Sequence, residues 1–581
     1  MASKELAEVY GGPHEAPHSL FATIEDGWKN NLNEIAVIST HQPHDLFSGL
    51  VQDCHATNGR SNSDESLAWT YAQLHRAALK FAAGLRAHGV EPGMRIATIC
   101  PNGVQFPLAL WTCMIMRLTL CPLDPGAVSR AREEELAKYM SLIQPDAVLV
   151  MDERATAAVD VALSKEPKVK IVLDPGFKPE SSSRWTSLLQ LATSATFSPA
   201  DEESLLNSAR NEDSPTRLAS ILFTSGTSSG NPKGCPRSVA STTHHLTSQI
   251  YGNMTASGRI LIASMNFRGI AMSLTMHSLR LGAAIVIADP SAGIAGQIEA
   301  IRRHKVTYAF FVPAQLHTMI AHPDFRTSDV SSIESAGIGG DIVTRDLLEK
   351  ARMAFPHTLV TNSAGMTEGG GIISWPFGNT PVSQLPLQGE IVPLGTATHG
   401  ARLRIRDPET GQTNHRDEPG EFCISCEGII EHYLDNVQPE AFFTDCQGHR
   451  FFRTGDLAVI DEDDVVTIIG RIKDVVKRAG VPLAPAAIES CIQNFTGAQV
   501  SVVAWPHVTL GAEPMAILDG MHGKTQDEIK QEVLSRFGEA YTMGPIVTLK
   551  QLGLEEFPSN ATGKIMKFEL LNKAKEVYSS K

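Results

Sequence analysis

From about residue 66 to 140 the chain alternates between two hydrophobic periods. In "TYAQLHRAALKFAAGLRAHGV" (70–90) apolar residues recur three and four apart, which predicts an amphipathic helix. "MRIATIC" (94–100) follows as a short strand, and a second apolar helix comes next. That alternation predicts βαβ units and a mostly parallel sheet. "PDAVLVM", "VKIVLD", "RLASILFTS", "GAAIVIAD" and "YAFFVP" are short continuous apolar runs, the pattern of further buried strands. Residues 175–217 are rich in Ser, Glu and Asn and read as a surface excursion. It ends at the strand 218–223. A second organisation starts near Gly420, where "GEFCIS" and "FFRTGDLAVIDEDDVVTIIGRIKD" are short strands with Asp-rich turns. After Lys473 the pattern becomes compact α+β to the end, and no internal repeat is visible.

Bulk properties narrow the class. A chain of 581 residues exceeds what one core supports, so more than one domain is expected. Hydrophobic content of 42% and charged content of 20% fit a soluble globular enzyme. A net charge of −14 argues against a nucleic-acid-binding surface, although locally gathered cations could hold an anionic cofactor. The run "FPLALWTCMIMRLTLCPL" (106–123) is broken by Arg117 and Pro122, so it reads as a buried helix entering a strand, not a membrane span. Nine cysteines without a secretory signal suggest reduced thiols and a cytoplasmic location. The terminal "SSK" lacks the leucine of a peroxisomal address.

Candidate chemistry begins at "LFTSGTSSGNPKGC" (222–235), immediately after a predicted strand. Glycines permit close backbone approach, hydroxyls and free N–H groups bind anions, and Lys233 adds a full charge. The inventory is that of a phosphate cradle, placed at a strand's C-terminal end, where ligands bind in open α/β sheets. It is not the common P-loop, since Pro232 precedes the lysine and Gly234 follows it. On composition alone a flexible linker remains open.

Three further motifs follow in order: "AGMTE" (364–368), "RTGD…GRIKDVVKRAGVPLAPAAIE" (453–489) and "NATGK" (560–564). Together with "TSGTSSGNPKG" (224–234) they resemble the adenylate-forming superfamily, which holds acyl-CoA synthetases, peptide-synthetase adenylation domains and beetle luciferases. The resemblance covers about residues 67 to 567. It implies a large N-terminal domain of parallel-sheet layers with a small β subdomain (1–472) and a small mobile α+β C-terminal domain (473–581). By that resemblance ATP lies on Thr224, Ser225, Gly226, Thr227, Ser228, Ser229, Gly230 and Lys233. The adenine side is formed by Gly339, Gly340, Ala364, Gly365 and Met366, while Asp456 and Arg471 hold ribose or phosphate. Thr367 and Glu368, with Thr227, are expected to position Mg²⁺. Taken singly, Glu368 also fits a turn carboxylate, Asp456 a turn residue and Arg471 a surface ion pair. Lys564 is expected to bridge the substrate carboxylate and the α-phosphate region. Lys473 is the expected hinge of a C-terminal swing that withdraws Lys564 and presents Lys477, Arg478 and Gly480 to CoA. Gly480 also fits a helix C-cap.

The chain departs from the family pattern at three places. Its phosphate loop has one extra residue between Thr227 and Gly230, leaving open whether Ser228 or Ser229 meets the triphosphate. Ala364 replaces the family's adenine-stacking tyrosine. "SMNFRGIAM" puts Phe267 and Arg268 where relatives carry an aromatic–histidine gate, and Arg268 is expected to pair at the surface rather than face the acid. No aspartate for a substrate ammonium is visible, which favours a plain carboxylic acid. "CISC" (Cys423, Cys426) lies in a strand and is no metal pair, "THHL" (His244, His245) puts adjacent helical histidines on different faces, and "MIMRL" is core. The expected activity is an ATP-dependent acid–thiol ligase using ATP, Mg²⁺ and CoA on a fatty or aryl acid. The alternatives are loading of a carrier-protein pantetheine, a luciferase-like oxygenase and a non-catalytic acyl-nucleotide binder.

Overall fold

The computed structural model describes residues 5–51, 66–180, 183–224, 232–249, 252–559 and 565–578. Two seven-stranded sheets form the bulk of the protein. The first runs Gly234–Ser238, Leu218–Phe223, Thr119–Pro122, Arg95–Ile99, Ala147–Val150, Val169–Val172, Trp185–Ser187 in space. All of its pairs are parallel except Gly234–Ser238 against Leu218–Phe223. The second runs Leu359–Ser363, Ser335–Gly339, Tyr308–Phe311, Arg259–Ile262, Ala284–Ile287, Ile35–Pro43, Ser66–Thr70, antiparallel only at its last pair. The apolar strand runs read from the sequence thus enter two layers of mostly parallel sheet, as the resemblance implied.

The helix Tyr71–Ala87 starts at a capping box, in which Thr70 and Gln73 satisfy each other's backbone donors. Gln105–Met116 is buried at all twelve positions, as a helix apolar all round must be. It stops at Arg117, whose φ of 55° is left-handed, and the chain turns into the strand Thr119–Pro122. The membrane-like run is therefore core, and among the described residues no helix is long and apolar enough to cross a membrane. Between the sheets Trp69, Tyr71 and Trp111 are fully buried, each contributing roughly 1.5–3 kcal/mol or more through burial. His75 joins them, stacking on Trp28 at 4.3 Å and accepting from Trp111 Nε1 at 3.2 Å.

Two expectations are corrected. Residues 175–217 are not merely a surface excursion: Trp185–Ser187 closes the edge of the first sheet, and helices Leu188–Ser194 and Pro199–Asn211 follow. Trp185, Leu188, Leu191, Ala192 and Ala209 are buried there, too thinly spread among polar residues to give a period. The second organisation also begins before Gly420. Arg402–Arg406 alternates arginine with Leu403 and Ile405 and pairs with both Glu8–Tyr10 and Gly420–Ser425. These strands, with Arg450–Ile460, Phe442–Thr444 and Val466–Arg471, make an antiparallel third sheet.

Beyond the turn at Lys473 a five-stranded sheet is built from Val476–Arg478, Val481–Leu483, Val500–His507, Gly511–Leu518 and Ile546–Thr548. Helices Pro485–Thr496, Gln526–Phe537 and Lys567–Tyr578 cover it. This lobe touches the rest through Ala484 and Ala487 on Ile391, and through Lys350 Nζ donating to Asn494 at 2.6 Å.

Candidate active site

The strand Leu218–Phe223 ends at Thr224, and the chain returns at Pro232 and Lys233 into Gly234–Ser238. The neck is closed by two hydrogen bonds: Thr224 N–H donates to the Lys233 carbonyl and Lys233 N–H to Thr224 Oγ1, both at 3.0 Å. Residues 225–231, hence Ser225, Gly226, Thr227, Ser228, Ser229 and Gly230, lie outside the described residues, as does Lys564. Lys233 Nζ donates to Gln438 Oε1 at 2.7 Å and stands 4.3 Å from the centre of the Tyr433 ring.

Tyr433 links this lysine to the Met-Thr-Glu segment. Its hydroxyl donates to Glu368 Oε1 at 2.6 Å. Burial first, then the Glu368 carboxylate, push the phenol far above its ordinary pKa, so it stays a donor. The backbone of Glu368 is fixed too, its carbonyl accepting from Ile430 N–H at 2.8 Å. Just upstream, buried Arg237 donates Nη2 to the Met366 carbonyl at 2.8 Å and Nε to the Thr367 carbonyl at 3.1 Å. Downstream, a Cβ on Gly370 would lie 2.2 Å from the His245 ring, so only glycine fits. His244 Nε2 faces the Gly371 carbonyl at 3.3 Å, while His245 Nε2 meets Ser273 Oγ at 2.9 Å. The two histidines thus serve different neighbours, as their adjacency on a helix dictates.

The segment holding Tyr433 is conformationally costly. Asp435, Asn436 and Gln438 all have left-handed φ, at 55°, 50° and 54°. Each such non-glycine residue costs on the order of 1–2 kcal/mol, and here the cost holds the Gln438 amide against Lys233.

On the adjoining sheet, Ser335–Gly339 and Leu359–Ser363 run parallel, with Gly339 opposite Ser363. A Cβ on Gly339 would lie 2.1 Å from the Ser363 carbonyl oxygen, and Gly340 has φ 85°. Gly339–Gly340 and Ala364–Gly365–Met366 therefore leave the same sheet edge side by side. Ala364 packs its methyl group against the third sheet's core. Asp456 and Arg471 face each other across an antiparallel pair, with Arg471 Nε 3.0 Å from Asp456 Oδ1 and Nη1 on the Thr454 carbonyl at 2.8 Å. The surface ion pair left open for Arg471 is present, with Asp456 as its partner. Lys473 is exposed in the turn that follows, and Lys477 and Gly480 are exposed on the small lobe's first hairpin. Arg478 is part-buried there, its Nη1 3.4 Å from the Glu539 carbonyl. Gly480 has φ 83° and open space around it; it turns a hairpin instead of capping a helix.

Arg268 differs from expectation. It is half-buried at the N-terminus of the helix Gly269–Leu281, its guanidinium 4.8 Å from the Phe267 ring centre. No surface ion pair forms with any described residue, because the helix start is tucked against the Gly-Met-Thr-Glu segment: a Cβ on Gly269 would be 3.9 Å from Arg237 Nη2 and 4.0 Å from the Met366 carbonyl.

A family model described as AMP-binding enzyme matches residues 52–434, more than half of the chain. The chain belongs to that family. This AMP-binding enzyme is 34% identical to an acyl–CoA ligase of Pestalotiopsis microspora over 97% of each chain. It is 26% identical to 4-coumarate-CoA ligase 1 of Narcissus pseudonarcissus over 92% of this chain and 94% of that one. Its fold superposes on an anthranilate CoA ligase in complex with anthranoyl-AMP, with TM-score 0.77 and 17% identity, covering 97% and 99% of the two chains. In this AMP-binding enzyme Tyr433, Gln438 and Arg237 were not visible as site residues from the sequence. Arg237 carried one usable signal, an arginine inside a short strand directly after the Pro-Lys-Gly motif. Tyr433 and Gln438 carried none, because their partners stand 65 and 205 residues away.

Proposed function

We propose that this AMP-binding enzyme is an ATP-dependent acyl-CoA ligase acting on an aryl carboxylic acid. The observation that carries this is the chain of contacts Lys233–Tyr433–Glu368, with Arg237 pinning the adjacent backbone, assembled at the C-terminal edge of a parallel sheet. The carboxylate of the acid attacks the α-phosphate of ATP; an acyl-AMP forms and pyrophosphate leaves. Attack of the CoA thiolate on the acyl carbonyl then forms the thioester and expels AMP. Lys233 and the phosphate loop supply charge to the triphosphate, and Asp456 and Arg471 the ribose contacts. Thr367 and Glu368 offer hydroxyl and carboxylate oxygens, the donor types that Mg²⁺ takes, and Tyr433 occupies only one Glu368 oxygen. One protein carboxylate suffices, since Mg²⁺ is commonly held by one or two carboxylates together with substrate phosphates. When bound, the ion would neutralise charge on the phosphates. Lys564 is assigned to the adenylation step, Lys473 to the hinge, and Lys477, Arg478 and Gly480 to CoA. The aryl acid is supported by the named 4-coumarate-CoA ligases among the relatives.

The test is incubation with ATP, Mg²⁺, CoA and a panel of aryl, fatty and dicarboxylic acids, detecting acyl-CoA by mass, with acyl-AMP trapped by hydroxylamine in parallel reactions that lack CoA. Thioester from at least one acid is expected, and its formation from no acid in the panel would remove the proposal. Lys564→Ala should slow acyl-AMP formation at least 100-fold while sparing transfer from supplied acyl-AMP to CoA. Full-speed adenylation in that variant would remove Lys564 from its role.

A further inference from the structure

Beside the phosphate-loop neck lies a small pocket of about 50 Å³, walled by Thr224, Pro232, Phe223, Phe267 and Arg268. Two carboxylates, Asp124 and Glu135, also reach it, and both are taken by one cation. Arg132 Nη1 stands 2.6 Å from Asp124 Oδ2 and its Nε 2.7 Å from Glu135 Oε2. Tyr139 Oη adds a donor to Glu135 Oε1 at 2.5 Å. The two carboxylates direct their hydrogen bonds to Arg132 and Tyr139, and among the described residues no ion pair joins them to Arg268, whose described contact is the face of its neighbour Phe267. Burial pulls the Arg268 pKa downward and Asp124 opposes this only at longer range, so the guanidinium has no carboxylate in direct contact among the described residues. A half-buried cation left in that condition is a site for an anion brought by a ligand.

The size of the pocket narrows the anion. A volume near 50 Å³ accommodates a few waters or one phosphoryl group, and lies far below the roughly 300–1,000 Å³ of pockets that enclose drug-sized ligands. Its place narrows it further, since Thr224 and Pro232 are the two ends of the phosphate-loop neck. Resting on the adenylation reading above, we propose that Arg268 binds a β- or γ-phosphate oxyanion of ATP and then the departing pyrophosphate. The planar fork of arginine suits two oxygens of such a group. Arg268 is thus a nucleotide-tail ligand in this chain rather than a contact for the acid.

The test compares Arg268→Gln and Arg268→Lys with the unaltered chain. Arg268→Gln should raise KM for ATP and the inhibition constant of pyrophosphate about tenfold or more, with Arg268→Lys between the two. Inhibition by AMP, which lacks those phosphates, should move less than twofold. The ATP effect should be the same with a neutral aryl acid and with a dicarboxylic acid. Equal losses for ATP and AMP, an effect confined to the dicarboxylic acid, or no change in pyrophosphate inhibition would each overturn the assignment. Should Arg268→Gln fail to fold, Arg268→Lys carries the same comparison. Titration of magnesium pyrophosphate against melting temperature needs neither acid nor turnover, so it tests Arg268 even if no acid yields acyl-AMP.

Discussion

Tyr433→Phe isolates the link between Tyr433 and Glu368. The substitution removes one hydroxyl and keeps the ring, so the packing on Phe442 and Phe452 and the ring under Lys233 remain. What is lost is a 2.6 Å hydrogen bond to a carboxylate. Bonds to charged groups contribute roughly 1.5–3 kcal/mol, which corresponds to about 10–150-fold if the whole amount is expressed in the transition state. Glu368 is only half-buried and water replaces part of the donor, so about tenfold is expected in the rate of acyl-AMP formation. The apparent affinity for Mg²⁺ should weaken by a similar factor, because a freed Glu368 samples more rotamers. Global stability should change by less than about 1 kcal/mol, since the phenol oxygen leaves behind no buried unpaired partner. The assay is pyrophosphate exchange at limiting and saturating Mg²⁺, with thioester formation from supplied acyl-AMP as the internal control. Exchange within twofold of the parent at limiting Mg²⁺ would refute the claim that Tyr433 sets the Glu368 carboxylate.

Arg237→Met should slow adenylation about 100-fold or more with little change in KM for the acid, because Met366 and Thr367 lose charged donors to their carbonyls; a rise in KM alone would contradict this. Gly339→Ala should give little folded protein, since its methyl group would sit 2.1 Å from a backbone oxygen in the neighbouring strand; a melting temperature within 2 °C or so of the parent would disprove that strand contact. Burial drives His75 and His244 down to about 4 and His277 to about 3, so all three are neutral in the folded chain at neutral pH. Unfolded, they titrate near 6.5, so below that pH the unfolded chain takes up protons that the folded chain refuses. Stability is therefore full above about pH 6.5 and falls toward pH 4, by about 1.4 kcal/mol per pH unit for each histidine. A denaturation midpoint that stays flat from pH 7.5 to 5 would contradict their burial as neutral rings.

The strand Leu218–Phe223 was legible because both faces of a parallel strand are buried, which leaves a continuous apolar run, and the place of the Thr224–Lys233 neck at its end followed. Strands such as Trp185–Ser187 and Glu8–Tyr10 were not, since three residues carry no period and pair only because tertiary neighbours await them. The same holds within the site. Glu368 and Lys233 announce themselves by motif, whereas Tyr433 and Gln438 act through contacts made by sheet packing. Arg268 was misjudged as a surface pair because its spacing shows a helix start and says nothing of which neighbour covers that start.

Two cations beside the loop neck, Lys233 and Arg268, share a property that a net charge of −14 conceals. Elsewhere arginines meet carboxylates: Arg210 on Glu25, Arg217 on Asp213 and Arg404 on Glu8 and Asp445. Near the loop neck, Lys233 is held by an amide oxygen and an aromatic face, and Arg268 rests on a ring. Neutral partners orient a cation without cancelling its charge, whereas a carboxylate would have to be displaced before an anion could bind. Preorganised positive charge of this kind is what a triphosphate requires, and what makes stabilisation of the transferred phosphoryl group effective once water is excluded. The left-handed residues Asp435, Asn436 and Gln438 belong to the tightly turned segment that brings the Gln438 amide to Lys233. Gln438→Glu tests the neutral partner directly. The new carboxylate would pair with Lys233 and strengthen the local fold, yet raise KM for ATP several-fold, and an unchanged KM would show that Lys233 does not meet the nucleotide.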